Sequence, residues 1–168
     1  MSVLKRRIEM PAVIAFGANQ GDRGATLLAA ARELAEADGV ELVAMSTVHE
    51  SVAVKLDGPD PDAPAYLNAV ATIRTTLTPE ALLALLQSIE TAHGRVREER
   101  WGDRTLDLDI VDFAGMTRDR GGLTLPHPRA FERSFVLEPW LEIDPDASLA
   151  GHGRVADLVA GLDREAQA

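Results

Sequence analysis

Tyr66-Leu67-Asn68-Ala69-Val70-Ala71-Thr72-Ile73-Arg74-Thr75-Thr76 reads as a β-strand followed at once by a helix start. Leu67, Ala69, Ala71 and Ile73 fall on one side of that strand, and Tyr66, Asn68, Val70 and Thr72 on the other. Thr78-Pro79-Glu80 then supplies a capping hydroxyl, a first-turn proline and an acid near the positive end of the helix dipole. Leu82, Leu83, Leu86 and Ile89 give the helix its buried stripe, and Gly94 stops it. Residues 95–104 are polar without a period, so they form a loop, and residues 105–114 alternate as another strand.

Upstream, residues 12–16 are a short apolar run ended by Gly17-Ala18-Asn19-Gln20-Gly21-Asp22, a buried strand and its turn. Leu27, Leu28, Ala31, Leu34 and Ala35 recur at helical spacing up to Gly39, and residues 40–50 are β-rich. Proline and glycine in residues 57–64 exclude helix and strand there, leaving a loop. Downstream, Leu125-Pro126-His127-Pro128 is a rigid turn, and residues 155–162 form a closing helix. The order strand, helix, strand, strand, helix, strand predicts an α+β fold of the ferredoxin-like βαββαβ kind. Its sheet is antiparallel, its helices lie on one face, and a C-terminal extension follows. The 168 residues read as one domain, with residues 1–10 and 164–168 frayed.

The formal net charge is −10, which argues against a binder of nucleic acid or of anionic membranes. Of the 17 basic residues only Lys5 and Lys55 are lysines, and eight of the arginines lie in residues 95–133 beside eight acids. Arginine suits bidentate contact with a compact anion such as phosphate, although a surface salt-bridge face has the same composition. There is no cysteine, so disulfides, thiol nucleophiles and thiolate metal sites are excluded, which fits the cytoplasm. Lys5-Arg6-Arg7 precedes an apolar run, but Glu9 and Pro11 break it, so it is not a signal peptide. No segment reaches the roughly 18 apolar residues of a membrane span.

The chemistry concentrates in Arg104-Thr105-Leu106-Asp107-Leu108-Asp109-Ile110. Strand alternation puts Asp107 and Asp109 on one face and Leu106, Leu108 and Ile110 on the core face. Two neighbouring carboxylates repel unless a cation sits between them, and an all-oxygen donor set suits Mg²⁺. A solvent-facing Asp-x-Asp is the plain alternative. Trp101, in a polar loop, is suited either to covering a planar ligand or to pinning the loop. His127, rigid between prolines, is suited to donating to a phosphate or to a structural role. Gly17-Ala18-Asn19-Gln20-Gly21-Asp22 lacks a Walker lysine and reads as a plain turn.

Gly94-Arg95-Val96-Arg97, Arg100-Trp101-Gly102-Asp103-Arg104-Thr105-Leu106-Asp107-Leu108-Asp109-Ile110, Leu125-Pro126-His127 and Arg133-Ser134-Phe135 together resemble the 6-hydroxymethyl-7,8-dihydropterin pyrophosphokinase family of folate biosynthesis. Gly17-Ala18-Asn19-Gln20-Gly21-Asp22 resembles that family's opening Gly-Ser-Asn-Leu-Gly-Asp, and Tyr66-Leu67-Asn68-Ala69-Val70 its third-strand motif. The resemblance runs over residues 12–146.

It implies a transferase that moves pyrophosphate from ATP to the hydroxymethyl group of a reduced pterin and releases AMP. It further implies two Mg²⁺ ions on Asp107 and Asp109, with Arg95, Arg97 and Arg104 joining those carboxylates in catalysis. Gln87, Glu90, Arg97, Trp101, Arg104, the Ile110 backbone, Thr124, His127 and Arg133 are the implied nucleotide contacts. Ser51, Val52, Val54, Tyr66, Asn68, Trp101, Asp107 and Phe135 are the implied pterin contacts, with the ring stacked between Tyr66 and Phe135. The expected partners are ATP and the pterin, with no nucleic acid and no membrane, and the expected state is a cytoplasmic monomer. No residue of these motifs reads as a dedicated general base, although Asp107 is suited to orienting the hydroxyl.

Five positions depart from the family pattern. Ser51-Val52 replaces a usual Thr-Pro, Val54 a usual leucine, Asp103 a usual proline, and Gly122 an arginine found in some members. A non-catalytic ligand-binding domain on the same fold is the second reading. A ferredoxin-like RNA-binding module is the third, and it lacks the basic surface and sheet aromatics that such modules need.

Overall fold

The computed structural model describes residues 7–55, 58–60, 62, 65–94 and 105–168. In chain order the elements are β1 (Met10–Ala18), α1 (Arg23–Glu36), β2 (Val40–Met45), β3 (His49–Ser51), β4 (Ala53–Lys55) and β5 (Gly58–Asp60). Then come β6 (Tyr66–Thr75), α2 (Pro79–Ala92), β7 (Asp107–Phe113), β8 (Arg118–Arg120) and β9 (Leu123–Leu125). A 3-10 turn (Ala130–Glu132), α3 (Ser134–Ile143), β10 (Ser148–Leu149), β11 (Gly153–Arg154) and α4 (Val155–Ala166) complete the chain.

The main sheet has the order β2-β6-β1-β7, with β3 also pairing to β6, and every pairing is antiparallel. β1 is therefore central, bonded to β6 on one side and β7 on the other. The strand-helix order expected from the sequence is present. Asp22 caps α1 by accepting from the Ala25 N–H at 3.1 Å, and Thr78 caps α2 by accepting from the Ala81 N–H at 3.1 Å. Gly39, with φ at +81°, turns the chain from α1 into β2 in a conformation that side chains other than glycine rarely adopt.

The two helices of the βαββαβ order, α1 and α2, lie on one face as expected, and the C-terminal extension covers the other. One face of the sheet, with Ile14, Phe16, Ala71, Ile73, Leu108 and Ile110, packs on α1 and α2 through Leu27, Leu34, Leu82, Leu86 and Ile89. The other face, with Val13, Val70 and Val111, packs on Val136, Leu137 and Trp140 of α3, and on Leu149 and Val155. The C-terminal extension is thus a second covering layer rather than an appendage. The sequence signal for it was Val70 on the strand's second face. Pro139 inside α3 broke the pattern by which a helix is normally recognised.

Two further differences are local. Residues 57–64 are not wholly loop, because β4 and β5 form a two-stranded ribbon in which Pro59 pairs with Val54. A ribbon of two strands tolerates proline, since its outer edge needs no N–H donor. Gly17 and Ala18 belong to β1 and not to the turn after it. In β7, Ile110 pairs with Ile14 and Asp112 with Val13, so Val111 is an extra residue. Alternation puts Val111 on the α3 side, and the bulge returns Phe113 to the α1–α2 side.

Glu142 of α3 joins the second layer to the sheet edge. It accepts from the Thr47 N–H at 3.1 Å and the Thr47 hydroxyl at 3.0 Å, and it meets His49 Nε2 at 3.1 Å. The hydrogen bonds from His49 and Thr47 hold its carboxyl below the ordinary value of 4.5. A depressed carboxyl stabilises the fold above its unfolded value, and that contribution is lost as pH falls through the folded one. Glu142→Gln is therefore expected to lower Tm at neutral pH, with the gap to the parent closing as pH falls below 4.5 in thermal scans. Leu86 and Leu137, both fully buried but in opposite layers, test the two-faced core. Each change to alanine is expected to cost about 2–5 kcal/mol. Both should shift one shared transition in denaturant titrations, whereas a separable C-terminal unit would give two transitions.

Candidate active site

The second face of the sheet carries a grid of polar side chains beyond the apolar patch under α3. Its first row runs across four strands: His49 pairs with Asn68, Asn68 with Gly17, and Gly17 with Asp107. The row behind it contains Val70, Ala15 and Asp109, and Tyr66 pairs with Ser51 at the near corner. Paired residues in a sheet share a face, so Tyr66, Asn68, Asp107 and Asp109 all project to the same side. Two strand spacings put the Asn68 and Asp107 backbones roughly 10 Å apart, the breadth of a small planar ligand.

Asn68 is buried, and its Nδ2 donates to Ser51 Oγ at 2.7 Å and more weakly to the His49 carbonyl at 3.3 Å. Ser51, Tyr66 and Asn68, implied separately by the sequence, are therefore one hydrogen-bonded corner. Val52, beside Ser51, is exposed. Val54 lies in β4.

Asp107 and Asp109 share the face expected of them, while Leu106, Leu108 and Ile110 are buried at 0%, 3% and 4% exposure. His127 comes to Asp109 from the turn after β9, where the Leu125–Pro126 bond is cis. Its backbone N–H donates to the Val111 carbonyl at 2.9 Å, which ties the turn to β7. The Arg129 N–H donates to His127 Nδ1 at 3.2 Å, so in the neutral ring the proton is on Nε2, which stands 4.0 Å from Asp109 Oδ2. Burial is the main force lowering the His127 pKa from 6.5, with Asp109 opposing it and Arg133 and Arg129 adding to it.

Arg133, the residue before α3, is half-buried. Burial and then Arg129 lower its pKa, and Asp109, Glu132 and Asp107 oppose them, so its guanidinium lies within the field of both aspartates. That guanidinium also lies over the Phe135 ring, 5.6 Å from its centre.

Other implied residues are more distant or differently engaged. Glu90 is buried, and its Oε2 accepts from the Leu108 N–H at 3.2 Å, while Gln87 on the same helix is exposed. Thr124, on the β8–β9 hairpin, donates its hydroxyl to Asp119 at 2.9 Å. Ile110 is a core residue whose backbone pairs with Ile14. The Arg118 side chain is 16% exposed and bonds Glu80 at 2.6 Å. That ion pair holds the β8–β9 hairpin against the start of α2. Arg129 lies at the surface, paired with Glu132 at 2.6 Å. Arg95, Arg97, Trp101 and Arg104 lie outside the described residues. Sequence reading missed Glu142 and assigned Gly17 to a turn. The signal for Gly17 was its place two residues after Ala15, in phase with the strand.

Asp107 and Asp109 offer only oxygen donors, and the Asp109 side chain keeps 49% of its surface open. Among the described residues no group of three or more His, Cys, Asp or Glu side chains converges on one point. Two half-open carboxylates on one strand face fit a hard divalent ion that completes its shell with water and a ligand's phosphate oxygens. Arg133 and His127 beside them suit the same anion.

The family profile described as 7,8-dihydro-6-hydroxymethylpterin-pyrophosphokinase (HPPK) matches residues 13–145. The 2-amino-4-hydroxy-6-hydroxymethyldihydropteridine pyrophosphokinase of Methylorubrum extorquens is 40% identical over 152 residues, covering 90% of this chain and 93% of that protein. The protein of the same name from Haemophilus influenzae is 40% identical over 148 residues, covering 88% of this chain and 90% of its own. Among solved structures, wild-type HPPK-DHPS of Plasmodium falciparum matches with a TM-score of 0.74 at 12% identity. It covers 96% of this chain, which spans 43% of that longer one. The chain belongs to the 7,8-dihydro-6-hydroxymethylpterin pyrophosphokinase family.

Proposed function

We propose that this chain transfers pyrophosphate from ATP to the hydroxymethyl group of 6-hydroxymethyl-7,8-dihydropterin, releasing AMP, with the Asp107–Asp109 face of β7 as its phosphate and metal platform. The observation that carries this reading is the pair of like-facing carboxylates with Arg133 and His127 Nε2 beside them. The strand order, with β1 central and every pairing antiparallel, supports assigning the fold to the ferredoxin-like class. The chain is read as one domain acting in the cytoplasm, and among the described residues no helix is long and apolar enough to cross a membrane.

Asp107 and Asp109 would hold Mg²⁺, which withdraws charge from the triphosphate when bound. The rest of the chemistry is charge management and positioning by the chain. Arg133 and the His127 Nε2–H face the same anion from the α3 side, so a neutral hydroxyl meets less repulsion as it approaches. Tyr66, Asn68 and Ser51 orient the pterin at the other end of the grid, and Phe135 supplies a second aromatic face. Asp107, in the row of Asn68, is suited to accepting a hydrogen bond from the hydroxyl that attacks. Holding both reactants on one rigid sheet converts the encounter into a positioned transfer. Arg95, Arg97, Trp101 and Arg104 complete the assignment through the family pattern. Thr124, Gln87, Glu90 and the Ile110 backbone are assigned to the nucleotide side in the same way.

Asp109→Ala is expected to abolish AMP formation from ATP and the reduced pterin while Tm stays near that of the parent. Retained AMP formation would remove the carboxylate platform from the mechanism. His127→Ala should raise the KM for ATP about tenfold or more, through loss of a charge-assisted hydrogen bond, and leave the KM for the pterin unchanged. Steady-state kinetics with each substrate varied in turn reads both values.

A further inference from the structure

Gly17 is a glycine in the middle of a sheet for which the described residues supply no reason. Glycine weakens a strand, so inside one it normally marks a bulge, a left-handed conformation, or a close approach by other atoms. The bulge in β7 lies opposite Val13 and Ile14 of β1, well before Gly17, which pairs in regular register with both Asn68 and Asp107. Gly17 is absent from the glycines of positive φ, so its backbone suits any residue. Among the described residues, a Cβ placed on it would meet only Asn68 Oδ1 at 3.6 Å and Tyr66 Cδ1 at 3.7 Å, which are ordinary contacts. Neither backbone strain nor crowding by the described residues accounts for the missing side chain.

The two atoms nearest that space belong to residues of the pterin corner. With Asn68 Nδ2 directed to Ser51, it is the amide oxygen that borders the gap, beside the edge of the Tyr66 ring. Asp107 flanks the gap from the other strand. A side chain at position 17 would fill the floor between a hydrogen-bond acceptor, an aromatic edge and a carboxylate.

We infer that Gly17 is a specificity-determining position. Its bare backbone is the floor on which a flat heterocyclic ring comes down between Asn68 and Asp107, so that one methyl group there excludes the ring without disturbing the fold. The inference rests on the pterin assignment made above and adds the surface against which the ring is seated.

Gly17→Ala is the test, in the full-length protein. Alanine suits a strand better than glycine, so Tm is expected to stay level or rise. The KM for the pterin should rise by about tenfold, as one obstructing methyl group in a fitted pocket does. The KM for ATP should stay unchanged. Calorimetric titration with the pterin substrate alone should show the same weakening with no turnover involved. Gly17→Val should weaken pterin binding further.

An unchanged pterin KM and affinity with unchanged Tm would overturn the inference. So would a marked fall in Tm, which would give the glycine a folding role, or a rise confined to the KM for ATP, which would give the floor to the nucleotide. If the parent protein makes no AMP from ATP and pterin, the functional reading itself fails. If the parent turns over and Gly17→Ala matches it, only the present inference fails.

Discussion

The register of β1 is the constraint on which the rest depends. It is the one strand bonded to both β6 and β7, so its pairing decides which residues of those strands stand opposite each other. A slip of one residue on either side would send Asn68, or the two aspartates, to the face covered by α1 and α2. The apolar residues on the other parity, Ile14, Phe16, Ala69, Ala71, Leu108 and Ile110, resist such a slip because they would lose their burial. The core on one face therefore fixes the chemistry on the other.

The second layer limits how far that chemistry can spread. α3 covers Val13, Val70 and Val111 and leaves the neighbouring polar rows open. Its first residues bring Arg133 and Phe135 to the border of the grid, and Glu142 near its end holds the segment that leads into β3. Ser51 then reaches Asn68 as a consequence of packing at both ends of one helix.

Much of this was legible in the sequence where one period governs a segment. The strand at residues 66–76, the Thr78 cap, the stripe of α2 and the alternation of Asp107 and Asp109 with buried leucines follow from local rules. What was not legible depends on contacts distant in sequence. α3 carries an internal proline and no clear start signal, so its existence rests on the apolar second face of the sheet it covers. Arg118 meets Glu80 only once the hairpin folds against α2, and Gly17 reads as a turn until its two cross-strand partners are known. The candidate site residues were named from a family resemblance more than from their own spacing, because Tyr66, Asn68, His127 and Phe135 are brought to one side of the sheet only through strand pairing and the α3 layer.

The hydrogen bond from the Leu108 N–H to the buried Glu90 carboxylate spans 18 residues of chain. It clamps the end of α2 to β7, immediately beside Asp107 and Asp109. β7 ends the main sheet, so at that point the carboxyl group of a helix stands where a further strand would otherwise pair. The edge of the sheet is closed from within the core beside the two aspartates, and a foreign strand cannot add there without displacing Glu90.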